Sequence, residues 1–304
     1  MNLAALSFAV LLIARAAPTV PDDLENAFQN LQQAESKKDA AQVKKLATET
    51  CALARQVASS PAPEGEDEKE AWTKRVAYAR DVELHTEYAL YATAVQGQPA
   101  TTVDLLSTLE QQNPKSKYLE EAYGAYILAL NQTGAASKIP AVAEKAIAHF
   151  PNGEDLLLLL ADTALNRQQS ERARGYAERL VAVLSKHPKP EGMAAADWER
   201  KRSTALGRGY WIAGFVHSEK TQYYEADKDL RAALPFIKGN EAMMAAALFY
   251  LGVANYQLGS ATRNKARVLE AAKFSDQAAA IKGPYSDQAW RNAQIMRTEA
   301  GKMR

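Results

Sequence analysis

Apolar residues recur three and four positions apart along most of the chain, in successive stretches of roughly 34 to 38 residues. Residues at that spacing share one face of an α-helix, so each stretch predicts two amphipathic helices. The pattern is clearest around Gly214 and Gly252. Its defining positions are Tyr210, Ala213, Gly214, His217, Ala226, Leu230 and Ala233 in one stretch and Leu248, Leu251, Gly252 and Asn255 in the next. Alternating, strand-like runs are missing, so the pattern predicts an all-α fold.

The same pattern can be followed towards the amino terminus. The equivalent slots are Leu90, Ile127, Ala161, Gly214 and Gly252. The intervals between them are 37, 34, 53 and 38 residues. An insert around Lys186–Trp198, rich in Pro and Ala, accounts for the long interval. Insertions within a repeat are expected to form loops on one face of the stack, so the register survives this one.

These positions resemble the tetratricopeptide repeat (TPR) family, whose helix–turn–helix unit is about 34 residues long. The residues that keep the family pattern are Gly214, Gly252, Ala226, Ala233, Pro114 and Pro151. The chain departs from it where Leu90 and Ile127 replace Gly and where Trp is missing from the large slot. The resemblance covers roughly residues 80–300. It implies a superhelical solenoid of antiparallel helix hairpins that binds a peptide or protein in its concave groove.

The amino-terminal segment indicates export. Leu3–Ala14 is a mostly apolar stretch of 12 residues, and Ala14 and Ala16 are the small residues expected before a cleavage site. Arg15 ends the apolar run too early for a membrane span, which needs about 20 residues. We expect a mature chain from Ala17, periplasmic or secreted and without a transmembrane span. The alternative is a buried or interfacial amino-terminal helix in a cytoplasmic protein.

Changes in composition along the chain, together with the repeat register, suggest a domain organisation. The expected segments are a signal peptide over residues 1–16, a helical hairpin over 17–58, a linker over 59–67 and a TPR-like repeat domain over 68–304. The linker is polar and contains two prolines, which interrupt helical structure. At the far end, Gly283 and Pro284 are expected to break the chain before a last helix that caps the stack.

Charge and cysteine content narrow the function classes. The formal net charge is +1, whereas nucleic-acid binding requires a concentrated basic face, so no nucleic-acid partner is expected. Cys51 is the only cysteine, so an intrachain disulfide is impossible and the redox compartment stays open. Neither composition nor pattern indicates the oligomeric state.

Catalytic and metal-binding motifs are missing from the sequence. The four histidines, His85, His149, His187 and His217, are not spaced as metal ligands. His217 occupies the Tyr-like packing slot of its repeat, which favours a buried structural role. There is also no glycine-rich phosphate loop and no nucleophile elbow. We therefore expect a protein that is not an enzyme and that has no cofactor and no metal site.

The resemblance also implies where a partner would bind, because the first helix of each TPR hairpin lines the concave face. The expected groove residues are Tyr91, Asn131, Asp162, Asn166, Trp211, Phe215, Phe249 and Tyr256. Aromatic residues at such positions are typical interface anchors. The equally weighted alternative is that Trp211 and Phe215 fill the gap between neighbouring hairpins, as aromatic stripes on helices often do.

The sequence thus favours an exported, non-enzymatic scaffold that binds a protein or peptide partner in its groove. A second hypothesis is an accessory factor in outer-membrane or cell-wall assembly, a role that the family resemblance allows. A third is an enzyme or carbohydrate-binding module in the hollow of the solenoid, using Trp211, Tyr256 and Asp162. The third hypothesis predicts a small-molecule pocket closed by the insert at Lys186–Trp198.

Overall fold

The computed structural model describes residues 22–303, which fall into two units at residues 129 and 130. The expected all-α fold is confirmed for these residues, which contain thirteen α-helices, one short 3-10 helix and no strand. The signal peptide expected over residues 1–16 lies outside the described residues. Within residues 22–303, no helix combines the length and the apolar character that crossing a bilayer requires.

The first unit begins with two helices over the segment expected to form a hairpin. Its helices are α1 (Asp23–Ser36), α2 (Ala40–Ala58), α3 (Glu66–Gln96), α4 (Pro99–Gln112) and α5 (Lys117–Gln132), the last of which contains the unit boundary. Asp22 and Asp39 cap α1 and α2 by accepting hydrogen bonds from backbone amides of the first turn. Residues 59–65 form the connection to α3. Trp72 secures this connection by donating its indole N–H to the Ser60 carbonyl oxygen at 3.2 Å.

The second unit continues the same alternation of helices and short connections. After a 3-10 turn (Ala136–Lys138) come α6 (Ile139–His149), α7 (Glu154–Asn166), α8 (Ser170–Lys186), α9 (Ala195–Glu219), α10 (Tyr223–Ala233), α11 (Glu241–Ala261), α12 (Lys265–Ala280) and α13 (Ser286–Lys302). Consecutive helices pack together from α1 to α4 in the first unit and from α6 to α13 in the second. Residues 187–194 of the expected insert are non-helical, while Trp198 is a buried residue of α9.

One tight turn recurs between paired helices. In α1–α2, α7–α8, α9–α10 and α11–α12, the connection contains one left-handed residue. These residues are Lys38, Gln168, Thr221 and Arg263, with φ between 50° and 59°. In each case the next amide donates to a carbonyl five residues earlier, at 2.8–3.1 Å, which is the Schellman pattern of a helix end. The recurrence gives the paired helices the same local connection.

Small residues allow the helices of the second unit to approach closely. A Cβ atom at Gly214 of α9 would lie 2.6 Å from Leu230 Cγ and 3.0 Å from the Leu230 backbone nitrogen in α10. A Cβ atom at Gly252 of α11 would overlap Ser275 Oγ and lie 3.3 Å from the Ala271 backbone oxygen in α12. Because backbone atoms cannot move aside as a flexible side chain can, Gly214 is required by packing rather than by backbone conformation. Gly214 and Gly252 are therefore helix–helix contact points.

Candidate functional site

The second unit contains a cluster of five aromatic side chains, which we call the aromatic cluster. Its members are Trp211, Phe215, Phe249, Tyr250 and Tyr285. Trp211 and Phe215 stack with ring centroids 5.5 Å apart and planes 3° apart. Phe215 meets Tyr250 edge to face at 5.2 Å, and Phe249 lies 5.0 Å from Tyr285. All five residues are half-buried.

Three elements build the aromatic cluster. Trp211 and Phe215 are four residues apart on α9 and therefore share a helix face. Phe249 and Tyr250 are adjacent on α11, and Tyr285 directly precedes α13. Burial, together with the neighbouring hydroxyl of Tyr285, raises the pKa of Tyr250. The phenol of Tyr250 is therefore protonated at neutral pH and can donate a hydrogen bond.

A cavity of about 570 Å³, which we call the cluster cavity, opens beside Trp211 and Tyr285. Its apolar lining continues along α11 and into the connection before α13 through Ala242, Met243, Ala245, Ala246 and Pro284. Its charged lining residues are Arg208, Glu241 and Lys282. An apolar cavity with a few convergent polar groups is the usual form of a ligand site. The cavity can therefore accept an apolar side chain and hydrogen-bond the groups next to it.

Specific contacts fix the orientation of Trp211. Its indole N–H donates to the Met243 carbonyl oxygen at 3.0 Å. The Arg208 guanidinium lies 4.8 Å from the centre of the Trp211 ring. Asp162 of α7 holds that guanidinium, with 2.7 Å between Asp162 Oδ1 and Arg208 Nε. The ring is thus preorganised, which reduces the entropy lost when a ligand binds to it.

The structure brings some of the expected groove residues together and separates others. Trp211, Phe215 and Phe249 belong to the aromatic cluster, and Asp162 supports it through Arg208. Trp211 also packs against two clusters of buried residues, one formed by α7, α8 and α9 and one that includes residues of α10 and α11. Its ring therefore occupies space between helices as well as lining the cluster cavity. The other expected positions lie elsewhere.

Tyr256 packs against a separate core formed by α12 and α13, with Val268 and Met296 among its neighbours. Asn131 and Asn166 are exposed residues near the ends of α5 and α7. Tyr91 belongs to the first unit, where its ring stacks on Tyr118 with centroids 5.6 Å apart. The expected set is therefore distributed over several surfaces.

Sequence reasoning missed Arg208, Tyr250 and Tyr285 as members of this site. Arg208 precedes Trp211 by three residues on α9, a spacing that places the two side chains on one face. That spacing was the available signal for Arg208. Tyr285 lies in a non-helical connection, where helical periodicity gives no information.

A second cleft in the same unit is built around His217. Its Nδ1 lies 3.0 Å from Asp229 Oδ2, and its Nε2 lies 3.5 Å from Glu178 Oε1. Burial raises the pKa of the Asp229 carboxyl, partly offset by the charge of His217 and its hydrogen bond. The lining of the cleft, about 400 Å³ in volume, contains no Ser, Thr or Cys among the described residues. The arrangement positions the imidazole between two carboxylates and connects α8, α9 and α10.

The insert also forms a cavity, of about 370 Å³, with Lys186, His187 and Pro188 in its lining. The residues that the third sequence hypothesis assigned to a pocket, Trp211, Tyr256 and Asp162, are not in that lining. Among residues 22–303, no group of three His, Cys, Asp or Glu side chains is placed to hold a metal ion.

Comparison with known proteins returns no family: neither a protein-family model nor a curated protein matches this chain. The functional argument therefore depends on the geometry of the described residues.

Proposed function

We propose that this chain is a non-enzymatic scaffold that binds a protein or peptide partner through the cluster cavity. The partner inserts an apolar or aromatic side chain between Trp211 and Tyr285. Arg208, Glu241 and Lys282 then hydrogen-bond its backbone or polar neighbours. The proposal includes export of the mature chain to the periplasm or the cell exterior, as the composition of residues 1–16 indicates.

The observation that carries this proposal is the position of Trp211. Its ring is half-buried, fixed by two polar contacts, and still lines a cavity of about 570 Å³. That volume lies within the range of roughly 300–1,000 Å³ typical of ligand sites. Tryptophan and tyrosine in partly closed pockets contribute most of the binding energy at many interfaces. A rigid aromatic side chain in a cavity thus favours binding over a purely structural role.

We further propose that the helices stack as a TPR-like solenoid of antiparallel hairpins. Support comes from the recurring left-handed turns at Lys38, Gln168, Thr221 and Arg263 and from the close contacts at Gly214 and Gly252. A repeated connection joined to a repeated contact point is what a helical repeat array requires. In such an array the groove residues of neighbouring repeats act together on one partner.

The test is a selection of random linear peptides of about 12 residues on the full chain, followed by affinity measurements on the recovered sequences. We expect recovered peptides to share an apolar or aromatic residue. Ala242→Trp should weaken their binding by at least about tenfold, because tenfold corresponds to about 1.4 kcal/mol and an interfacial anchor contributes about 2 kcal/mol or more. Ala242 is an exposed residue that lines the cavity, so this change blocks the cavity without removing core packing.

Trp290→Ala provides the matched control. Trp290 is 59% exposed on α13 and does not line the cluster cavity. Its loss should leave peptide affinity unchanged. Recovered peptides that bind the Ala242→Trp variant as tightly as the unchanged chain would contradict the proposal, as would a selection that recovers no peptide.

A further inference from the structure

The first unit presents a different apolar surface, along one face of α3. Four residues form it at intervals of four, three and four: Leu84, Tyr88, Tyr91 and Val95. Leu84 is 42% exposed, and Tyr88 and Val95 are each 44% exposed. We call these four residues, together with Tyr118 of α5, the α3–α5 stripe. Such spacing is that of a seam that packs against another helix.

Tyr118 links the two helices of the stripe. Its ring centroid lies 5.6 Å from that of Tyr88 and 5.6 Å from that of Tyr91. The stripe therefore combines three tyrosine rings with the exposed aliphatic side chains of Leu84 and Val95. Its α3 part covers twelve residues, whose eleven helical steps span roughly 16 Å.

The charges beside the stripe are suited to a cation. The Asp81 carboxylate lines a cleft with Leu84 and Tyr88, and no side chain in the described part of the chain pairs with it. Glu121 accepts a hydrogen bond from the Tyr91 hydroxyl at 3.4 Å. The Lys117 ammonium already lies 4.9 Å from the centre of the Tyr118 ring, which shows that this ring accepts a positive charge.

The charge of the whole unit agrees with this local picture. Residues 1–129 contain 12 lysines and arginines against 18 aspartates and glutamates, a formal charge of −6. Residues 130–304 contain 25 basic against 18 acidic residues, a formal charge of +7. The near-neutral net charge of the whole chain is therefore the sum of two units with opposite net charges. An acidic surface attracts basic partners and repels anionic lipid and nucleic acid.

We propose that the α3–α5 stripe is a docking surface for a basic amphipathic helix of another protein. The apolar face of that helix packs on Leu84, Tyr88 and Val95. Its flanking Lys or Arg side chains pair with Asp81 and Glu121 and lie over exposed tyrosine rings. This surface belongs to the first unit and is independent of the cluster cavity in the second, so either proposal can fail while the other stands.

The test uses displayed helical peptides of about three heptads with Leu fixed at the seam positions. The flanking positions are randomised among Lys, Gln and Glu, and the full chain is the bait. Among recovered peptides we expect Lys to exceed Glu at the flanking positions by about tenfold. Tyr88→Ser should lower recovery at least about tenfold, because it removes an exposed aromatic anchor. Asp81→Asn should reduce the preference for Lys.

Two further variants identify where the peptides bind. Trp290→Ser changes an aromatic residue of the second unit that is even more exposed than Tyr88, 59% against 44%, and should leave recovery unchanged. Ala242→Trp blocks the cluster cavity and should also leave recovery unchanged. A preference for Glu, no charge preference, or no recovery above the empty support would overturn the proposal. Loss of recovery with Ala242→Trp, or full recovery with Tyr88→Ser, would overturn it as well.

Discussion

Tyr88 of the first unit leaves much of its ring in solvent, whereas Trp211 of the second is half-buried between neighbouring helices. Both lie on long helices, α3 of 31 residues and α9 of 25 residues. In the second unit Trp211 and Tyr285 line a cavity, whereas in the first unit the Tyr88 ring stands on an exposed helix face. This difference is the basis of the two binding modes that we propose. A cavity selects an inserted side chain, and an open stripe selects the face of a helix.

The two units also differ in net charge. The first unit is acidic overall, and the Asp81 carboxylate beside its stripe has no side-chain partner within residues 22–303. The second unit is basic overall, and its cavity has Arg208 and Lys282 in its lining. A whole-chain charge of +1 therefore gives no guide to either surface. Charge counted per unit is the more informative quantity.

The largest expected effect is loss of stability on Gly214→Leu, which tests the close packing of the second unit. A Cβ atom there would contact the backbone of α10, so the helices must separate. Overpacking of this kind costs about 1–3 kcal/mol, and we expect the upper end. Urea denaturation followed by circular dichroism measures it.

Gly175→Ala is the matched control for that change. No atom lies within 4 Å of a Cβ placed at Gly175, which is a helical residue of α8. Removing a helical glycine should stabilise the protein by about 0.5–1 kcal/mol. An unchanged midpoint for Gly214→Leu would show that α9 and α10 are not packed as described.

The next prediction compares how much the two aromatic surfaces contribute to the free energy of unfolding. Trp211→Ala should lower the free energy of unfolding by about 2–3 kcal/mol, because a packed ring leaves a cavity behind. Tyr88→Ala removes an exposed ring and should change it by no more than about 0.5 kcal/mol. Thermal or urea unfolding of both variants gives the comparison. Equal losses would erase the distinction between the enclosed and the displayed surface.

A smaller effect is expected from the polar network between α10, α11 and α12. Asn255 is fully buried, donates to Asp227 Oδ1 at 2.6 Å and accepts from Arg267 Nε at 3.0 Å. In the Asn255→Ala variant, Asp227 and Arg267 each lose a hydrogen bond, which should lower the free energy of unfolding by about 1–2 kcal/mol. Asn166→Ala, at an exposed position at the end of α7, is the control and should lower the free energy of unfolding by less than about 0.5 kcal/mol. Similar values for the two would contradict the network's role.

The smallest effect is alkaline loss of stability in the first unit. Burial, with the charge of Glu110, raises the pKa of Tyr126 to about 12. The unfolded chain releases this proton near pH 10, so the stabilisation is complete below about pH 10 and is lost as the pH rises towards 12. Between pH 9 and pH 11 we expect Tyr126 to account for about 1 kcal/mol of the loss.

Tyr126→Phe should remove that part of the alkaline loss, as measured by urea denaturation at pH 9 and pH 11. Tyr88→Phe removes an exposed phenol and should leave the loss as it is in the unchanged chain. A Tyr126→Phe variant with the same pH dependence as the unchanged chain would show that the buried Tyr126 phenol does not cause the loss.

The sequence predicted the helices and their contact points because both depend on local spacing. Gly214 and Gly252 mark close approaches in the structure, as their repeat positions indicated. Trp211 and Phe215 could be found because they are four residues apart on one helix. The recurring turns could not be predicted because Lys38, Gln168, Thr221 and Arg263 adopt the left-handed conformation without being glycine.

The rest of the site depends on contacts between residues distant in sequence. Asp162 reaches Arg208 across 46 residues, and Tyr285 meets Phe249 from a non-helical connection. Helical periodicity relates only residues within a few turns, so neither contact has a local signal. The sequence pattern also does not reveal that the α3–α5 stripe is exposed, because Leu84 and Tyr88 have the spacing of core residues. Their exposure becomes apparent only in the folded structure, where no other helix of residues 22–303 covers them.

Photo-cross-linking on the full chain tests the central claim, two distinct binding surfaces, most directly. One peptide selected on the cluster cavity and one basic helical peptide would each carry a benzophenone group, and adducts would be located by mass spectrometry. We expect adducts of the first peptide within residues 241–246 and 282–285, and adducts of the second within residues 84–95 and 117–121. Adducts of both peptides at one surface, or outside these segments, would contradict it.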